Sequence, residues 1–147
     1  MNRQELTQEI LLAKRRHKLS WQQLAEIIGH SKEWSTAALL GQMTLTKKQA
    51  QAVVAALELP DEAVELLQVV PYKGSLPTSV PTDPLIYRFY ELINVYGTTF
   101  KELIHEEFGD GIMSAIDFNM DLSRQPDPNG DRVKITMSGK FLPYKTY

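Results

Sequence analysis

Between Pro84 and Tyr96 the chain reads PLIYRFYELINVY, in which only Arg88, Glu91 and Asn94 are strongly polar. Thr82 or Asp83 caps this stretch as a helix, and Pro84 takes the first-turn position where proline is tolerated. At about 100° per residue the three polar side chains fall on one stripe, each about 60° from the last and spanning about 120° in all. A helix apolar on every other side is buried on nearly every side. Arg88 and Glu91 are therefore expected inside protein, where a charge is costly unless it is paired or used.

With 147 residues the chain fits one medium domain or two small ones and can bury a real core without staples. It contains no cysteine, so disulfides, thiolate nucleophiles and thiolate metal sites are excluded. Met1 to Thr7 is polar with no signal-peptide apolar run behind it. The longest apolar run, Ala52 to Leu57, is far short of the roughly 18 residues needed to span a bilayer. A cytoplasmic protein without membrane contact is the expectation. Net charge is −2. Residues 1–70 carry eight basic and eight acidic side chains, and the remainder eight and ten. Neither part has the basic excess of a nucleic-acid binder.

Residues 3–17 read as an amphipathic helix with Leu6, Ile10 and Ala13 on one face. Ser20 with Gln23 and Thr46 with Gln49 have capping-box spacing and open two further helices. Gly29 sits where a helix-ending glycine belongs. Ser31 caps a helix through Leu40, Pro60 stops the fourth, and Asp61 to Val69 suggests a fifth. Helices two and three have helix-turn-helix length with glycine at the bend. As a DNA reader the third would offer Lys32, Glu33, Ser35, Thr36 and Gln42, with no arginine or asparagine for bidentate base contacts. A packing role is favoured.

The run PYKGSLPTSVPTD, residues 71–83, holds three prolines and a glycine and reads as an extended linker between a helical part, 1–70, and a second part, 84–147. Gly97 is expected to end the opening helix, and Thr99 with Glu102 to cap a separate one through Phe108. Gly109-Asp110-Gly111 makes a bend. Ile116, Phe118, Met120 and Leu122 alternate onto one face, as do Val133, Ile135 and Met137, with turn residues QPDPNGD between. That is a β-hairpin with one apolar face, marginal alone. It is expected to cover helices, pair with another chain, or both.

His17, His30 and His105 have no metal-ligand spacing, and no phosphate loop or nucleophile-elbow motif is present. Arg88 and Glu91, three apart, are neighbours on a helix. An exposed ion pair is one reading of them. Apolar surroundings favour another, a small-anion site in which the planar guanidinium grips an oxyanion. Ser114, just past the glycine bend, adds a hydroxyl and freed backbone N–H groups, although no periodicity ties it to Arg88. As a nucleophile it lacks a histidine to activate it.

TDPLIYRFYELINVYGTTFKELIHEEFGDGIMSAIDF, residues 82–118, together with GKFLP at 139–143, closely resembles cyanase (cyanate hydratase, cyanate lyase). Phe141 stands where many members have tyrosine. The N-terminal half resembles the family's helical domain more loosely. The resemblance implies an α+β fold. Its N-terminal helical bundle is of the lambda-repressor-like helix-turn-helix type, not used on DNA. Its C-terminal α/β catalytic and oligomerisation domain carries a β-hairpin intertwined between subunits. It implies bicarbonate-dependent decomposition of cyanate to ammonia and carbon dioxide via carbamate, serving cyanate detoxification and nitrogen supply. No metal or organic cofactor is implied, and bicarbonate is the co-substrate. The implied assembly is a homodecamer of five dimers with active sites between subunits. Arg88, Glu91 and Ser114 match the family's catalytic residues in the YRFYE and SAI motifs. Arg88, with its counterpart from a neighbouring subunit, would offset the repulsion of two anions and align them. Ser114 would donate a hydrogen bond to one of them. Glu91 would orient Arg88 or move a proton. The rivals are a helix-turn-helix regulator with a small-anion-sensing C-terminal domain, and an inactive cyanase-like scaffold.

Overall fold

The structure, a computed structural model, describes residues 1–146. The chain divides into two units, Met1–Ser75 and Leu76–Tyr147.

The first unit is built from five helices: α1 (Arg3–Arg16), α2 (Trp21–Ile28), α3 (Lys32–Leu39), α4 (Lys47–Leu57) and α5 (Glu62–Leu66). Both capping boxes expected in this unit form, whereas the one expected of Thr99 with Glu102 does not, because those residues lie inside the continuous helix Pro84–Phe108. Ser20 Oγ accepts from Gln23 N while Gln23 Oε1 accepts from Ser20 N, and Thr46 and Gln49 exchange the same bonds. A third box, Asn2 with Glu5, opens α1 and has the same spacing in the sequence. Gly29 ends α2 in the left-handed region (φ +76°), where a Cβ would be strained. The fifth helix is shorter than Asp61 to Val69 suggested. Leu6, Ile10, Leu24, Leu39, Val53 and Leu57 are fully buried in one core. Each such burial contributes roughly 1.5–3 kcal/mol. Arg3 Nη2 donates to Ala38 O (2.7 Å), linking α1 to the end of α3.

Gln49 Nε2 also reaches Ile28 O (3.1 Å), so the α4 cap bears on the helix-turn-helix pair as well. Thr46→Ala should therefore destabilise this unit by about 1 kcal/mol. Urea denaturation followed by circular dichroism would show a lowered midpoint, restored by Thr46→Ser. An unchanged midpoint would show the cap to be redundant.

In the second unit the expected break at Gly97 is absent. One 25-residue helix, α6 (Pro84–Phe108), runs straight through it. Gly97 has no positive φ, and a Cβ there would meet nothing closer than Ile93 Cγ2 at 3.6 Å. A mid-helix glycine costs about 1 kcal/mol relative to alanine but does not end a helix while its own backbone stays helical. The helix ends at Gly109, where φ of +90° with ψ of −175° takes the chain out of the helical conformation. Two antiparallel strands come next, β1 (Gly111–Gln125) and β2 (Arg132–Pro143).

Direct pairs Phe118↔Gly139, Met120↔Met137 and Leu122↔Ile135 put the apolar residues of both strands on one face, as their alternation implied. Ile116 is the exception, standing outside the ladder in a register break between Met113 and Phe118. Arg124 Nη1 donates to Asp131 Oδ2 (2.8 Å) across the turn. This bond, with a second from Asp127 N, holds the Asp131 carboxyl below its usual value. Because the folded-state value is depressed, the turn keeps that contribution at neutral pH and loses it as pH falls through the depressed value.

No residue of α6 is buried within one chain. Phe89, Ile93, Tyr96 and Phe100 stand exposed along the side opposite the polar stripe, and Met120, Leu122 and Met137 on the hairpin face are likewise uncovered. Among the described residues, no helix is long and apolar enough to cross a membrane.

Candidate active site

Asp83 Oδ1 accepts from Leu85 N and Ile86 N, both at 3.0 Å, and sets the start of α6. Arg88 comes one turn later, with Glu91 beside it. Arg88 Nη1 donates to Glu91 Oε1 at 2.7 Å. In one chain their side chains are 68% and 47% exposed, so burial does not come from the chain's own fold. At that exposure the pair contributes only about 0.2–0.5 kcal/mol. Within the chain the bond uses one guanidinium nitrogen and one carboxylate oxygen. The rest of the arginine fork remains available to an oxyanion.

Ser114 lies at a different place. Between the pairs Met113↔Phe141 and Phe118↔Gly139, four residues of β1 stand opposite Lys140 alone. Such a bulge bends the strand and re-aims its side chains. Ser114 Oγ closes it by accepting from Ile116 N (3.1 Å) and Asp117 N (2.9 Å). Both oxygen lone pairs are then used, leaving the hydroxyl proton to donate outward. Ser114 is only 7% exposed while Ile116 at the bulge is 98% exposed. The serine capture of two N–H groups takes Ile116 out of strand alternation.

No hydrogen bond or ion pair among the described residues joins Ser114 to Arg88 or Glu91. The start of β1 is held at the other end of α6. His105 Nε2 lies 3.1 Å from Gly111 O and its Nδ1 3.5 Å from Asp110 Oδ1. Phe108 stacks on Phe141 at 5.3 Å, and Tyr144 N donates to Asp110 O. From Arg88 to His105 the helix rises about 25 Å. One chain thus keeps the candidate residues in two separate places, an arginine–glutamate pair near one end of α6 and a serine bulge near the other. In the sequence His105 is no more than a cation suited to a helix C-terminus. Its bond to Gly111, a residue across the bend, is a tertiary contact that periodicity does not encode. An open cleft of about 280 Å³ lined by Lys101, His105, Met113 and Tyr144 lies at this end, away from Arg88. Among the described residues no three His, Asp or Glu side chains gather as a metal ion would require.

Residues 3–71 match the family described as cyanate hydratase, N-terminal, and residues 78–146 the cyanate lyase C-terminal domain. The chain belongs to the cyanate hydratase family. It is 78% identical to cyanate hydratases of Ralstonia pickettii (strain 12J) and Dechloromonas aromatica (strain RCB), each over all 147 residues and the full length of both chains. The crystal structure of cyanase from T. urticae aligns with a TM-score of 0.82 at 38% identity, covering 94% of this chain and 96% of that one. Family membership accounts for the α+β fold, a helical N-terminal unit followed by a helix and hairpin. It favours an enzyme over the helix-turn-helix regulator, for which neither charge nor likeness speaks.

Proposed function

We propose that this protein is a cyanate hydratase that decomposes cyanate with bicarbonate. The observation that carries this reading is 78% identity, end to end, with chains named cyanate hydratase. A bicarbonate oxygen attacks the cyanate carbon, and the nitrogen takes up the bicarbonate proton and one more. The bond between the bicarbonate carbon and the shared oxygen then breaks, releasing carbon dioxide and carbamate. Carbamate takes up a further proton and falls to ammonia and a second carbon dioxide. The cycle calls on no metal or organic cofactor, since its needs are charge neutralisation, alignment and proton supply.

Two monoanions about 4 Å apart repel by roughly 4 kcal/mol in a partly protein environment. Arg88 offsets that repulsion and aligns the anions through its planar fork. Ser114 donates its remaining proton to one of them. Glu91 either holds the guanidinium in place through its 2.7 Å bond or takes part in moving the proton to the cyanate nitrogen. The two half-sites of one chain meet between copies. The uncovered apolar faces of α6 and the hairpin support that assembly, read as a homodecamer of five dimers. Its expected mass is ten times the 16.7 kDa chain, which sedimentation would test. The protein is placed in the cytoplasm on this reading.

In bicarbonate-free, carbon-dioxide-purged buffer, ammonia release from cyanate should fall at least about tenfold and recover on adding bicarbonate, since bimolecular chemistry stops without its second reactant. Cyanate consumption indifferent to bicarbonate would sink the proposed reaction.

A further inference from the structure

We infer that Gly139 is a positioning residue for the Ser114 hydroxyl, an inference that rests on the assignment of Ser114 to the site. A Cβ built at Gly139 would run into the Ser114 carbonyl oxygen. It would also lie 2.6 Å from Met113 Cγ and 3.3 Å from Met113 Sδ. The first obstacle is backbone and cannot swing aside as a flexible side chain can. Gly139 has no positive φ, so glycine is required here for space and not for backbone conformation. Alanine can adopt the same backbone, and its one cost is the collision.

That collision falls on the part of the chain that aims the hydroxyl. Gly139 pairs with Phe118, the residue at which the ladder resumes after the bulge. The Ser114 carbonyl oxygen lies where a Cβ on Gly139 would project. The hydroxyl's direction is fixed by the N–H groups of Ile116 and Asp117 at 3.1 and 2.9 Å. Moving the Ser114 carbonyl shifts Oγ relative to both donors and turns the remaining proton away from its target. Gly139 thus acts through Ser114 and touches no substrate itself. Gly111, the other glycine under backbone constraint, is packed against Leu142 O and the Phe141 ring. It fits the hairpin to the end of α6 and does not bear on the hydroxyl.

Gly139→Ala should assemble as the parent does and lose about 10²-fold in kcat/KM for cyanate, the scale of a displacement near 1 Å. The loss should lie mainly in kcat. The deciding readout is a double-mutant cycle with Ser114→Ala. If Gly139 acts through the hydroxyl, Gly139→Ala adds less than about twofold on the Ser114→Ala background. Met113→Ala/Gly139→Ala, compared with Met113→Ala, removes the side-chain obstacle and should remain as impaired as Gly139→Ala. Full additivity, or parental activity in Gly139→Ala while Ser114→Ala is impaired, overturns the positioning role. Failure of both Gly139 variants to assemble overturns it as well, since the glycine would then hold the hairpin itself. Parental activity in Ser114→Ala would instead remove Ser114 from the site, a separate result.

Discussion

Arg88→Leu should leave cyanate turnover at least about a thousandfold below the parent, with the assembly unchanged in size. The magnitude comes from the repulsion the guanidinium must offset. Roughly 4 kcal/mol between two monoanions corresponds to about three powers of ten in rate. The fold should survive because the Arg88–Glu91 bond, at 2.7 Å, is an exposed helical pair contributing only about 0.2–0.5 kcal/mol. Leucine is also a strong helix former and adds apolar surface to an already apolar helix. Arg88→Lys separates charge from shape. An ammonium neutralises as well as a guanidinium but cannot form two parallel bonds to one oxyanion. It should recover part of the rate and leave the misalignment. Ammonia release at saturating bicarbonate, with sedimentation of each variant, measures both. Turnover of Arg88→Leu within tenfold of the parent would rule out the arginine as the anion clamp.

Much of this was legible in the sequence where the interactions are local. Ser20 and Gln23, or Thr46 and Gln49, sit three apart and find each other with no help from the rest of the chain. The hairpin face was legible in its alternation from Phe118 onward. The features that escaped depend on backbone choices and side-chain competition that hydrophobic periodicity does not record. Gly97 looks like a stop, but a glycine ends a helix only where its backbone leaves the helical conformation, as at Gly109 and not at Gly97. The bulge around Ser114 is invisible to periodicity because the serine side chain competes with the ladder for Ile116 N and Asp117 N. The need for glycine at 139 appears only when β2 lies beside that bulge. Of the candidate site, Arg88 and Glu91 were readable as polar residues in an apolar helix. Ser114 was readable as a hydroxyl just past a glycine bend, and only the family resemblance tied it to Arg88 and Glu91. The expected burial of the pair does not hold within the chain, where both side chains are exposed and α6 has no buried residue, because the chain's own fold packs nothing over the pair.

A single charge placed in the apolar side of α6 should therefore disrupt the proposed assembly and with it the activity. Ile93 is well suited. It is exposed in one chain and lies between Phe89 and Tyr96, across the helix from Arg88 and Glu91. Ile93 is 57% exposed and outside the hydrophobic core, so Ile93→Asp removes little packing within the chain and leaves the core of the N-terminal unit unchanged. Within an interface the carboxylate would be buried without a partner, at a cost of several kcal/mol per copy. In a symmetric contact the same substitution is met twice. Sedimentation should show smaller species. Cyanate turnover should fall in proportion, because the serine bulge and the arginine pair of one chain do not meet on their own. Ile93→Leu and, in the other unit, Glu9→Gln should leave both readings unchanged. If Ile93→Asp were fully active in a dissociated form, the half-sites of a single chain would suffice. The proposal that copies complete each other's sites would then be wrong.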